Sequence, residues 1–126
     1  MLTEGETVEV QRHFVLDPPP HRCDAAAAGG LIYLAGMTAY DRTAPLEQQA
    51  EETMQKIDIA LAAAGSDKSQ LVWANIWLAD PRDYDAFNVV WNRWIIPGKG
   101  PARACVGATL CIPGLKVEIA VVAAPR

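Results

Sequence analysis

A chain of 126 residues, 51% hydrophobic and 21% charged, has the composition of an ordinary folded protein and a length that suits one domain, residues 1–126. Its net charge of -4 supplies no general attraction to phosphate backbones or anionic lipid, which argues against nucleic acid and membrane surfaces as partners. The three cysteines, Cys23, Cys105 and Cys111, are odd in number and lack CxxC spacing, so neither a disulfide framework nor a zinc site is suggested, and no cofactor or metal is expected.

The opening stretch "MLTEGETVEV" has no basic flank or apolar core of a secretory signal. The longest apolar run, residues 25–37, is too short for a bilayer span of about 20 residues, and a cytoplasmic location is expected. "TVEVQRHFV" is rich in β formers and reads as a first strand; the three prolines of "LDPPPHRC" end it by removing ladder donors. "DAAAA" and "LIYLAG" read as two strands joined at Gly29-Gly30, a pair that accepts the positive φ of a tight hairpin. From Leu46 to Ala64, Ala50, Met54, Ile57, Leu61 and Ala64 recur at helical spacing, and Gly65 suits a left-handed cap.

"QLVWANIWLAD" then reads as a strand with Val72, Ala74, Ile76 and Leu78 on one face and Leu71, Trp73, Asn75 and Trp77 on the other. Asp80-Pro81 signals a second helix, in which Tyr84, Phe87, Trp91 and Trp94 form a packing stripe, with Asn88 and Asn92 on the opposite side. Two further strands, roughly 103–111 and 116–123, flank "IPGL" and read as a hairpin. With Pro113-Gly114 as its turn, Glu118 falls about six residues, or roughly 20 Å, from Arg103 along the ladder. That is too far for one chain to bring both to a small substrate.

The order β-ββ-α-β-α-ββ describes an α+β domain: a single mixed β-sheet with two helices packed on one face. Trp73 and Trp77 belong to the other face. Two adjacent tryptophans are covered either by a terminus or by a second subunit, and the working expectation is a homo-oligomer.

"LIYLAGM", "AAAGSDKSQLVWANIWLADPRDYDAFNVVWNRWI", "GPARACV" and the terminal "KVEIAVVA" together resemble the reactive-intermediate deaminase family, also called YjgF-like or Rid proteins and annotated in part as endoribonuclease L-PSP. The most specific motif is "PARACV" with Glu118 downstream. The resemblance implies a small homotrimer with clefts between subunits, hydrolysing reactive imines and enamines to keto acids and ammonia without metal or cofactor. It implies that Arg103 holds the carboxylate of a small-molecule substrate, that Glu118 positions or deprotonates the attacking water, and that Cys105 lies beside the pocket.

The residues supply reasons for these roles. A guanidinium offers two parallel donors to a carboxylate, and an imino acid carries that carboxylate next to its electrophilic C=N carbon. Strand alternation is read as placing Arg103, Cys105 and Glu118 on the tryptophan face, opposite Ala104, Val106, Val117 and Ile119. For Cys105 the alternative is a small buried hydrophobe.

The remaining candidate binding residues are Gly36, Ala35, Arg22 and Tyr40. Where the family has a tyrosine, a serine and a glutamine, this chain has Arg22, Ala35 and Met37. The change exchanges a phenol for a cation and leaves an apolar wall, which points to a larger acid or one with a second anionic group. His21 shares the Arg22 loop. Two other function classes use the same residues or the same family name: a non-catalytic carboxylate binder, and RNA cleavage, which the acidic balance opposes.

Overall fold

A computed structural model describes residues 8–126. Gly29 and Gly30, at φ of 61° and 82°, close a two-residue turn between β2 (Ala25–Ala28) and β3 (Leu31–Leu34). Alanine favours helix, yet "AAAA" is a strand, because the turn and pairing on both edges outweigh a small local preference. On its outer edge β2 pairs with β1 (Gln11–His13), which is shorter than the strand read from "TVEVQRHFV". The cause is Asp24. Its buried carboxylate accepts from the amides of Val15 and Leu16, both at 2.7 Å, and draws the chain off the ladder before the prolines; Thr7 lies outside the described residues.

The helix spacing is realised in α1 (Leu46–Ala63), which buries Ala50, Met54, Ile57 and Leu61, and in α2 (Tyr84–Trp94), which buries Phe87, Val90 and Trp91. Gly65 follows α1 at φ 82°. Asp80 caps the turn that leads into α2 by accepting from the Arg82 amide at 2.9 Å. Both helices lie over Ala74, Ile76 and Leu78 of β4 (Leu71–Leu78) and Val117, Ile119 and Val121 of β6 (Val117–Ala123). A register irregularity between Leu71 and Trp73 reverses one expected assignment, burying Leu71 and leaving Val72 exposed.

The expected final hairpin does not form. Strand β5 (Ala102–Gly107) runs parallel to β4 at the sheet edge, while β6 lies between β3 and β4, so the order is β1-β2-β3-β6-β4-β5. A helix between β4 and β5 makes them a βαβ unit, whose strands are parallel. The stretch from 108 to 116 is a crossing loop fixed by Gln49 of α1. The Gln49 amide nitrogen donates to the Ala44 and Gly114 carbonyls at 2.9 and 3.0 Å, and its oxygen accepts from Lys116 N at 2.8 Å.

The chain is therefore α+β, one mixed sheet with both helices on one face. The other face carries three cross-strand rows: Tyr33, Val122, Trp73 and Ala102; Ala120, Asn75 and Ala104; Glu118, Trp77 and Val106. Among the described residues no helix is long and apolar enough to cross a membrane.

Candidate functional site

Two polar clusters form on opposite faces of the sheet. On the helix side, register sets Arg103 beside Ala74 and Cys105 beside Ile76. The Arg103 guanidinium carbon lies 5.2 Å from the Trp91 ring centroid and 5.9 Å from that of Tyr84, so two aromatic rings of α2 define its environment. Arg103 Nη2 donates to Asn88 Oδ1 at 2.6 Å, whereas Nη1 is buried with no hydrogen-bond partner. A neutral amide satisfies one nitrogen and leaves its neighbour desolvated. An anion reaching Nη1 would remove that penalty and gain a charge-assisted bond.

Cys105 is half-buried and packs against the hydrophobic core. Burial pushes its thiol above the ordinary value, with Arg103 pulling weakly the other way, which disfavours a thiolate. These contacts support the packing alternative for Cys105.

On the open face, Glu118 stands beside Trp77 and against Gly36, where a Cβ would overlap Glu118 Oε2. A recess of about 220 Å³, lined by Trp77, Thr109, Leu110 and Cys111, opens beside it. Burial pushes the Glu118 carboxyl up from its ordinary range, and the nearby positive charge of Arg22 partly offsets this.

The expectation that Arg103, Cys105 and Glu118 share a face is thus corrected. The placement of Glu118 opposite Val117 and Ile119 holds, but on β5 the faces are reversed: Ala104 and Val106 are exposed on the open side. The parallel register with β4, rather than a hairpin with β6, sets this orientation. The separation of about six residues changes as well. Arg103 is level with Ala74 and Glu118 with Trp77, an offset of three β4 residues, roughly 10 Å along the strand and across its thickness.

Arg22 and Ala35 line a hollow of about 500 Å³ on the open side. Met37 does not join that wall. It is buried in the core, paired with Ile119, so the expected apolar wall reduces to Ala35. Tyr40 is exposed beside a separate recess with Thr38, Arg42 and Ile112, and the Lys56 ammonium lies 4.1 Å from its ring centroid. Among the described residues, no three His, Cys, Asp or Glu side chains group as a metal site requires.

Two residues were assigned no place in the site from sequence. Asn88 was set on the side of α2 away from the aromatic stripe, yet it holds Arg103; its spacing from Tyr84 and Trp91, four and three residues, was the available signal. Asp24 anchors Arg22, with Oδ1 accepting from Arg22 Nη1 at 3.2 Å, and only the folded loop reveals it.

The sheet with its helix pair defines a class that comparison identifies. The Endoribonuclease L-PSP family model matches residues 20–125, and the chain belongs to this family, which includes the RutC and YjgF proteins. It is 37% identical over 109 residues to the RutC family protein YoaB of Escherichia coli K12, covering 82% of this chain and 96% of that one. A RutC family protein of Haemophilus ducreyi is 36% identical over 101 residues, with coverage of 80% and 86%. The crystal structure of a YjgF family member from Neisseria meningitidis superposes with a TM-score of 0.86 at 36% identity, covering 94% of this chain and 96% of that one.

Proposed function

We propose that the protein is a deaminase of reactive imines and enamines, acting as a cytoplasmic homotrimer whose 126-residue chain is one domain. The observation that carries this reading is the buried, unpartnered Nη1 of Arg103 within an aromatic and amide frame. That donor is unsatisfied in the single chain, and a carboxylate is the acceptor that would pair with a guanidinium most strongly. Exposed Trp73 and Val106, in two separate rows of the open face, support subunit contact.

Arg103 of one subunit holds the carboxylate of a 2-imino acid, and Glu118 of a neighbour accepts a proton from water as its oxygen attacks the C=N carbon. Glu118 returns that proton to the former imine nitrogen, and the resulting carbinolamine passes its hydroxyl proton to the amine as the C–N bond breaks and ammonia leaves. One imine and one water give one keto acid and one ammonia, with an enamine first tautomerising to the imine. Gly36 leaves the Glu118 carboxylate its position, and Ala35 and Arg22 complete that half of the cleft. Cys105 serves as packing beneath Arg103. Tyr40 stands at the rim of a neighbouring recess and has no step in this scheme.

The absence of a hydroxyl at Ala35 favours one competing reading, a non-catalytic carboxylate binder using the same groups. Imines generated in solution by an amino-acid oxidase separate the two. A deaminase accelerates keto-acid release above the spontaneous rate, whereas a binder is retained on keto acids and leaves the rate unchanged. RNA cleavage is not adopted, because a net charge of -4 gives no general attraction to a phosphate backbone.

A further inference from the structure

The hollow beside Arg22 is formed by a particular combination of side chains. Arg12, Ala26 and Tyr33 form one row across β1, β2 and β3, and the small Ala26 between two long residues leaves the depth. Phe14, His21, Arg22 and Ala35 stand among its other walls, around an open hollow of about 500 Å³.

Arg22 is fixed rather than free to sweep through solvent. Its Nη1 donates to the Cys23 carbonyl and to Asp24 Oδ1, both at 3.2 Å. Asp24 is itself immobilised, buried to 1% exposure and accepting from two backbone amides. Among the described residues Arg22 Nε and Nη2 have no hydrogen-bond partner, and the side chain retains 39% exposure toward the hollow. A guanidinium held by one nitrogen presents its remaining donors to a ligand at little entropic cost.

We propose that this hollow is a second anion subsite, so that the protein's substrate is an imino acid with a distal carboxylate. The inference rests on the deaminase reading, with the 2-carboxylate on the neighbouring subunit's Arg103 and the reacting carbon at Glu118. The distal group extends past Ala35 and meets Arg22, with Arg12 adding positive charge and Phe14 and Tyr33 flanking the carbon chain.

The test compares binding of 2-oxoglutarate with 2-oxopentanoate, which has the same carbon count and a methyl in place of the distal carboxylate. The whole protein should bind 2-oxoglutarate at least about tenfold more tightly, as one charge-assisted contact provides. Arg22→Gln should bring the ratio close to one and Arg22→Lys should keep part of it. The exposed, remote Arg82→Gln should leave the ratio unchanged and so controls for loss of one charge.

Equal affinities in the parent protein, no binding of 2-oxoglutarate, or a preference that survives Arg22→Gln would each overturn the subsite. Failure of the deaminase reading looks different: 2-oxoglutarate would bind through Arg22 while no imine was hydrolysed faster than in buffer.

Discussion

Gly36, just past the end of β3, and Glu118 of β6 are fitted to one another: a Cβ on Gly36 would overlap Glu118 Oε2 and come within 3.1 Å of Cδ. The obstruction is the far end of a flexible side chain, and Gly36 is not among the positive-φ glycines. Gly36→Ala should therefore fold normally while displacing the carboxylate. The expected result is a melting temperature within a few degrees of the parent and turnover reduced on the order of 100-fold, as misplacement by about 1 Å can cause. Loss of both fold and activity would show that Gly36 has a structural task instead.

Burial holds the Glu118 carboxyl above its ordinary range, and Arg22 acts in the opposite direction. A base works only when ionised, so the acid limb of kcat/KM should lie above the usual glutamate range and vanish in Glu118→Gln. Removing the Arg22 charge should move that limb further upward. In the stability profile, the folded state binds this proton more tightly than the unfolded chain, so stability falls as pH rises from the ordinary glutamate value through the raised one. Glu118→Gln should flatten that slope.

Trp73 and Val106 are 38% and 53% exposed in the single chain, yet they belong to an apolar open face. The protein should sediment at three times its 13.6 kDa chain mass. Introducing Trp73→Glu with Val106→Asp should yield a folded monomer, because charges buried without partners oppose association while costing the single chain little. Circular dichroism unchanged at monomer mass is the expected outcome; a trimer that tolerates both changes would place the interface elsewhere.

The elements best read from sequence are those set by neighbours in the chain. Gly29-Gly30 and the helical spacing of Ala50, Met54, Ile57 and Leu61 act locally, and both appear as expected. The β5–β6 hairpin failed because Pro113-Gly114 marks a reversal without saying whether strands pair across it. The two strands lie on either side of β4, joined by a crossing loop that Gln49, more than sixty residues away in sequence, holds at Gly114 and Lys116. From that single topological error followed the wrong face for Arg103 and Cys105, since alternation fixes relative faces and only register fixes which one meets the helices. The family motif pointed to Arg103 and Glu118, but the Asn88 and Asp24 contacts depend on loop and helix packing that no local pattern encodes.

Arg103 itself offers a graded test. Arg103→Ala should weaken transition-state binding about 30- to 1,000-fold, and Arg103→Lys should restore little, because an ammonium lacks the planar fork. Asn88→Asp should be more harmful to keto-acid affinity than Asn88→Ala, since a carboxylate beside Nη2 would neutralise the charge the ligand needs. The ratio of kcat/KM values measures the Arg103 comparison and isothermal titration with 2-oxobutanoate the Asn88 one; equal affinities for the two Asn88 variants would contradict the role given to the pair.

The central claim is that each site draws Arg103 and Glu118 from different subunits, and subunit mixing tests it most directly. Arg103→Ala and Glu118→Gln homotrimers should each be nearly inactive toward an oxidase-generated imine. Refolded together in equal amounts, they should form mixed trimers in which one junction of three joins an intact Arg103 to an intact Glu118, restoring roughly a quarter of the parent activity in a cyclic assembly. Mixed trimers, verified by mass, that regain no activity would contradict the account.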